Sequence, residues 1–182
     1  YGSNIYSGAT AVDNGRLVLA GADGAILGAG GITISTGARL EVRNNAVTNN
    51  GNRLSDTATL TMKGGVLDYA HSGGAADYSE TAGPLAVNSG SNTILTARAD
   101  ESRTSTLTFA SLARTGNGTL NFAGDGLGDA DGRNRVLFTA APALSNGLIG
   151  PWAMINGTTL ATYDGTLGVT AFTSFTDIAA RG

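Results

Sequence analysis

The sequence predicts an all-β fold, a parallel β-helix (β-solenoid), from three observations: short runs of alternating apolar residues, a recurring glycine turn and a composition poor in charge. Charged residues make up only 14% of the 182 residues, whereas about 25% is typical of soluble domains. Glycine is abundant, at 28 residues, and proline is scarce, at 3. The polar surface must therefore consist largely of Thr, Ser, Asn and Gly, which suit strands and turns and are poor in helix interiors.

Five pairs of short runs carry the strand signal, with apolar residues two apart and polar residues between them. Each pair surrounds a turn glycine: Gly15, Gly37, Gly64, Gly90 and Gly118. These glycines are 22, 27, 26 and 28 residues apart, so the chain repeats about every 25 residues, a period typical of solenoids. Two looser turns, at Asn146-Gly147 and Asp164-Gly165, extend the pattern to about seven rungs in a single segment, residues 1–182.

A β-sandwich is the alternative architecture, because it also consists of short strands and glycine turns. Its turns usually come every 8–12 residues or so, and its core is usually richer in aromatic residues. Aromatic residues are only 6% of this chain, and the slim Val, Ile, Leu, Ala and Thr at inward positions suit the stacked interior of a narrow solenoid. The sequence therefore favours the solenoid.

Composition also excludes several classes of function. The net charge is −3 and Lys63 is the single lysine, so no basic face for nucleic acid is expected. The absence of cysteine excludes disulfides, thiol catalysis and cysteine-ligated zinc. No apolar run approaches the roughly 20 residues of a membrane helix, so we expect no membrane span in this segment.

Residues 5–19 read Ile-Tyr-Ser-Gly-Ala-Thr-Ala-Val-Asp-Asn-Gly-Arg-Leu-Val-Leu and resemble the autotransporter-associated β-strand repeat. That repeat has an Asn-Thr-Tyr-Ser-Gly-Gly-Thr-Thr-Val run, a glycine turn and then Thr-Leu-Val-Leu. This chain departs from it at Ile5, Ala9 and Arg16, and the strand that usually precedes the run is missing. Later stretches resemble very long bacterial surface proteins that carry this repeat: residues 112–122, 134–139, 150–157 and 160–164.

The resemblance implies a right-handed parallel β-helix, the passenger segment of a large autotransporter-like protein at the bacterial outer cell surface. We expect an extracellular structural scaffold, a fibre or stalk segment, and no enzyme. The alternative is an adhesin that binds glycans or another cell through a flat Thr/Asn/Ser face; a polysaccharide-degrading enzyme is a third option. Neither end shows an evident polar cap, so the expected partners are neighbouring repeats or copies of the chain stacked end to end.

An acidic loop is the one candidate metal site. Asp125, Asp129 and Asp131 lie among glycines within seven residues, and carboxylates on a flexible backbone suit Ca²⁺. The spacing is neither that of an EF-hand nor that of the nine-residue calcium repeat. The simpler interpretation is a solvated turn whose acids pair with Arg133 and Arg135. No other cofactor is expected.

The sequence contains few residues that could form a catalytic site. His71 is the only histidine and no Gly-x-Ser-x-Gly motif occurs, so we interpret His71 as a surface residue and predict no catalytic residue. A glycan-cleaving β-helix would need paired carboxylates on one face. Asp68, Asp77 and Glu80 beside Arg98 or Arg103 are the candidates for such a cluster.

Overall fold

The computed structural model describes residues 3–4, 6–72 and 76–175, which form eighteen strands joined by turns and loops. Within these ranges no helix is long and apolar enough to cross a membrane. In chain order the strands are β1 (Ser3–Asn4), β2 (Thr10–Val12), β3 (Gly15–Leu19), β4 (Ala25–Ile26), β5 (Ile32–Ser35), β6 (Ala38–Asn45), β7 (Leu60–Lys63), β8 (Val66–Ser72), β9 (Tyr78–Ala82), β10 (Leu85–Ser89), β11 (Ser91–Thr96), β12 (Ser105–Phe109), β13 (Leu112–Arg114), β14 (Thr119–Ala123), β15 (Asn134–Phe138), β16 (Ala153–Ile155), β17 (Thr159–Asp164) and β18 (Gly168–Ala171).

Three parallel sheets wind around one core, which confirms the predicted parallel β-solenoid. Sheet one has the strand order β13-β10-β7-β5-β2, and sheet two begins β3-β6-β8-β11-β14-β16. Sheet three is β15-β12-β9, and below it β1, β4 and Leu54 continue the same side of the stack. Every strand pair in these stacks is parallel, so the β-sandwich alternative, which needs antiparallel pairs, is wrong.

Strand register places one apolar residue above another through the whole stack. In sheet two the inward column consists of Leu17, Leu40, Leu67, Ile94, Phe122 and Ile155. Successive members are 23, 27, 27, 28 and 33 residues apart, and all but Leu17 are buried. Burial of each such side chain contributes about 1.5–3 kcal/mol, so the column ties every rung to the next.

The five predicted turn glycines all lie at one corner of the solenoid, where the chain passes from sheet one to sheet two. Gly15, Gly37, Gly64 and Gly90 have φ between 67° and 95°, a conformation that other residues rarely adopt. At Gly118 a Cβ atom would lie only 2.9 Å from the Val87 side chain. The glycine spacing in the sequence therefore measures the rung length correctly.

The stack has about four turns, so the predicted count of about seven rungs is too high. Above β14 only β16 continues the parallel pairing; β17 and β18 pair antiparallel. Asn146-Gly147 forms a tight turn between Ser145 and Leu148, and Asp164-Gly165 lies in the β17–β18 hairpin. Asn-Gly and Asp-Gly turns close antiparallel hairpins as readily as solenoid corners, so the sequence pattern overcounted the rungs.

The antiparallel strands cover the C-terminal end of sheet three. The hydroxyl of Tyr163 accepts a hydrogen bond from the Phe138 backbone N–H (3.0 Å) and donates one to the Phe138 carbonyl (3.1 Å). The Gly128 N–H donates to the Asn134 carbonyl (3.0 Å), also on β15. The edge of β15 is thus satisfied by side-chain and loop groups, so sheet three is covered at this end.

The core contains more aromatic surface than the composition suggested. Tyr69, Tyr78, Phe109 and Phe122 are fully buried, and Phe138 packs against Phe109 with ring centroids 5.9 Å apart. Only 6% of the residues are aromatic, but these five lie in the core. The interior therefore holds aromatic rings besides the slim aliphatic side chains that we expected.

Tyr163→Phe should loosen the C-terminal end of the stack, because it leaves the Phe138 N–H and carbonyl without their shared partner. We expect a loss of about 1–3 kcal/mol in the free energy of unfolding and a selective loss of hydrogen-exchange protection at the Phe138 amide. Tyr6→Phe, at an exposed hydroxyl, is the control and should change stability by less than about 0.5 kcal/mol. Equal Phe138 protection in both variants would contradict the capping role.

Candidate functional site

A groove on the outer surface of sheet two is a candidate ligand site. Its volume is about 320 Å³, within the range of small-molecule sites. Thr93, Asn121 and Met154 stand in register on β11, β14 and β16 and form its floor. The lining comprises Ser91, Thr93, Thr119, Leu120, Asn121, Pro151, Trp152, Met154 and Gly157.

Trp152, the single tryptophan, forms one wall of this groove and is partly buried against the core. The Arg114 guanidinium lies 5.7 Å from the centre of the indole ring, and its Nε donates to the Gly118 carbonyl (3.0 Å). Arg114 lies on strand β13 and is exposed. None of the lining residues is ionisable, so the groove offers hydroxyl, amide and apolar contacts and no general acid or base.

The acidic loop is organised around an arginine. Arg98 lies 3.3 Å from Asp125 and 3.5 Å from Asp131, and Arg133 lies 3.8 Å from Asp131. Asp129 is exposed, and among the described residues no three acidic or histidine side chains form a group that could hold a metal. A guanidinium at this position competes with a cation, so the geometry favours an ion-paired loop. Arg98 takes the place expected for Arg135, which donates to Thr106 Oγ1 (3.1 Å) instead, and the Ca²⁺ site stays a prediction.

The carboxylates proposed for glycan cleavage lie on different faces. Asp68 points outward from sheet two and forms an ion pair with Arg39. Asp77 accepts a hydrogen bond from the Thr104 N–H (2.7 Å) at an exposed loop, whereas Glu80 points into the solenoid. No shared face brings Asp68, Asp77 and Glu80 together.

Sequence reasoning missed a group of polar side chains, all buried except the half-buried His71, which we call the interior polar corner: Asn44, Arg53, Tyr69, His71, Tyr78, Glu80 and Ser105. Arg53 is at its centre and is fully buried. Its guanidinium donates to Asn44 Oδ1 (2.7 Å), the Gly24 carbonyl (2.7 Å) and the Gly21 carbonyl (2.8 Å). Burial lowers the pKa of Arg53, while Glu80 opposes that shift.

Glu80 replaces a strand that sheet three lacks at the second rung. Its Oε1 atom accepts hydrogen bonds from the backbone N–H groups of Arg53 and Leu54, each 2.8 Å long. Only Leu54 pairs with β4 at this level. The carboxylate therefore accepts the hydrogen bonds that the carbonyl groups of a neighbouring strand would otherwise accept. Burial raises the pKa of Glu80 to about 7, although these two hydrogen bonds and Arg53 act in the opposite direction.

His71 is part of this corner and is not the surface residue that we expected. Its ring stacks on Tyr78 with centroids 4.1 Å apart and meets Tyr69 edge-on at 4.3 Å. Its Nε2 atom lies 3.3 Å from Ser105 Oγ, a pairing that resembles half of a catalytic triad. Ser105 is fully buried and burial lowers the pKa of His71 to about 4, so the pair lacks both substrate access and a basic imidazole.

Comparisons of the chain with protein-family models, with curated proteins and with solved structures found no match. The parallel solenoid therefore rests on the strand pairing of this chain. The resemblance over residues 5–19 remains a sequence-based prediction, and Ile5 lies outside the described residues.

Opposite pH dependences are expected for variants of the two buried ionisable groups. The pKa of Glu80 rises from 4.5 to about 7 on folding, so its contribution to stability is complete below pH 4.5 and is lost as the pH rises through 7. The pKa of His71 falls from 6.5 to about 4, so its contribution is complete above pH 6.5 and is lost as the pH falls through 4. In the wild type the two effects oppose each other.

Relative to wild type, Glu80→Gln should therefore gain about 2 kcal/mol of stability as the pH rises from 4.5 to 7.5. His71→Asn should gain a similar amount, about 2 kcal/mol, as the pH falls from 7 to 4. Denaturant unfolding across this range measures both. If the free energy of unfolding of both variants follows that of wild type across this pH range, these groups do not titrate in the folded interior.

Proposed function

We propose that this chain is an extracellular structural segment, part of a scaffold, fibre or stalk at the surface of a bacterial cell, in an autotransporter-like protein. The solenoid is proposed to be right-handed, as parallel crossovers almost always are. The resemblance over residues 5–19, the absence of cysteine and the low charge support this setting. The groove has no ionisable lining and Ser105, the partner of His71, is fully buried, so we propose no catalytic role.

Open strand edges at the ends of the stack are the observation that carries the proposal. At the C-terminal end, Tyr163 covers β15 and β17 pairs with β16, whereas β13 is the outermost strand of sheet one. At the N-terminal end, β2 and β3 are the outermost strands of sheets one and two, and no strand among the described residues pairs with their outer edges. Such open edges are templates for further strands, so we propose that another rung of a longer chain or of a second copy stacks there.

Ala11 offers a direct test of the open edge. The Thr10 N–H donates to the Gly31 carbonyl beside β5 (2.9 Å), so the N–H of the next residue, Ala11, points to the open side. Ala11→Pro removes that donor and leaves the internal pairing intact, whereas Ala11→Val keeps it.

We expect the isolated 18.2 kDa chain to self-associate with rising concentration in sedimentation velocity experiments. Association should weaken about tenfold in Ala11→Pro and be preserved in Ala11→Val. Circular dichroism confirms that both variants fold. A wild-type chain that remains monomeric at high concentration would count against the proposal, as would equal association of the two variants.

A second candidate function is glycan binding through the groove on sheet two. Saccharides present apolar faces and hydroxyl edges, and the groove combines the Trp152 indole with the hydroxyl of Thr93 and the amide of Asn121. Its uncharged lining favours a neutral sugar. This candidate corresponds to the adhesin alternative and places binding at one groove instead of along a whole flat face.

Because Trp152 is the only tryptophan, its fluorescence reports occupancy of the groove directly. We expect a neutral oligosaccharide identified on a glycan array to shift this emission, and Thr93→Val to weaken binding about three- to tenfold. Thr61→Val, at an outward position of sheet one, is the matched control and should bind as wild type does. If no glycan shifts the emission, or if both variants bind equally, the groove is not a saccharide site.

A further inference from the structure

One inward column of sheet one is apolar through four strands and ends in a charged residue on the fifth. Its apolar members are Val12, Ile34, Met62 and Val87, and all of them are buried. The ladder between β10 and β13 places Arg114 beside Val87, at the next position of this column. Residues at one register position of a sheet share a face, so Arg114 lies on the core side of β13.

Two contacts hold the Arg114 side chain at the end of the column. Its Nε donates to the Gly118 carbonyl (3.0 Å), and its guanidinium lies 5.7 Å from the centre of the Trp152 indole ring. A cation over an indole face is attracted by the electrons of the ring. Arg114 is exposed, so its charge stays in contact with water for as long as β13 is the outermost strand of sheet one.

The chain does not continue sheet one beyond β13. In the next rung β16 pairs with β14, and the Leu120 N–H donates to the carbonyl of Trp152, the residue just before β16 (2.8 Å). Shortly before Trp152, the Ile149 N–H donates to the Ala161 carbonyl on β17 (3.0 Å). This rung is therefore diverted toward sheet two, and no strand among the described residues pairs with the outer edge of β13.

We propose that Arg114 is a stop that prevents a further strand from stacking on β13. Such a strand would extend the inward column and bury the guanidinium between apolar side chains. The Gly118 carbonyl and the Trp152 ring carry no net charge, so neither would neutralise it. A buried charge without a charged partner is strongly unfavourable, and inward-pointing charges are one means by which edge strands resist pairing.

The stop gives stacking a single direction. This inference rests on the proposed stacking at the open edges of β2 and β3, and it adds which surfaces of two copies can meet. Because β13 accepts no strand, a second copy joins through its own N-terminal edge. A two-fold dimer uses the same surface of both copies and leaves neither N-terminal edge free for a third. The isolated chain therefore forms a closed dimer and no filament.

Arg114→Val tests the stop, because it continues the column with an apolar residue. In sedimentation velocity at rising concentration, the wild type should reach the mass of a dimer of the 18.2 kDa chain and grow no further. Arg114→Val should exceed the dimer mass and continue to grow. Arg114→Lys keeps a charge in the column and should remain a dimer. Lys63→Val, which removes an exposed cation from the inner strand β7, is the control for net charge and should also remain a dimer.

The Ala11→Pro background separates the stop from the proposed N-terminal stacking. Adding Arg114→Val to Ala11→Pro should strengthen association about tenfold, because it frees the edge of β13 while the N-terminal edge stays blocked. A monomeric wild type together with an associating Arg114→Val chain would support the stop and contradict the N-terminal stacking.

Two results would overturn the stop and leave the N-terminal stacking in place. One is a wild-type chain that grows beyond the dimer. The other is the same size distribution for Arg114→Val as for Lys63→Val, with circular dichroism showing that both are folded. If Arg114→Val does not fold, Arg114→Met replaces it, because methionine is uncharged and closer to arginine in length.

Discussion

The backbone ladder between successive rungs is the constraint on which every other feature of this chain depends. A single rung cannot bury its apolar side, and only stacking in register creates the continuous column from Leu17 to Ile155. The same ladder aligns Thr93, Asn121 and Met154 on the outer surface, and so forms the floor of the groove. It also leaves open strand edges wherever the stacking stops, which is why the two ends of the stack matter for function.

The interior polar corner shows how the fold tolerates a gap in that ladder. At the second rung, sheet three has no strand beyond Leu54, and the Glu80 carboxyl group accepts the hydrogen bonds of the Arg53 and Leu54 N–H groups instead. Burying Arg53 and Glu80 is costly unless nearly every polar atom is satisfied, so this corner is the part of the core most sensitive to pH. Apolar packing holds the stack along most of its height, and at this level the buried side chains of the interior polar corner hold it as well.

Sequence analysis predicted the solenoid because the turn glycines repeat at the rung length and the period-two runs lie on either side of them. It overcounted the rungs because Asn-Gly and Asp-Gly dipeptides have the same backbone preferences in a hairpin as at a solenoid corner. Arg53 lies in an irregular excursion between β6 and β7, where no periodicity indicates that its side chain turns inward. The groove could not be predicted either, because its residues come from β11, β14, β16 and the connections on either side of β16, and only the three-dimensional register brings them together.

The strand register gives the most direct test of the stacked parallel solenoid. The chain has no cysteine, so no native thiol competes with an introduced disulfide. Thr33 and Thr61 face outward and pair in adjacent strands of sheet one, where neighbouring Cα atoms lie about 4.8 Å apart, within disulfide range. The double variant Thr33→Cys/Thr61→Cys should form an intramolecular disulfide on mild oxidation with the fold retained. Thr33→Cys/Thr93→Cys, which joins two different sheets, should not. Failure of the first pair to cross-link, or equal cross-linking of the second, would contradict the stacked parallel solenoid.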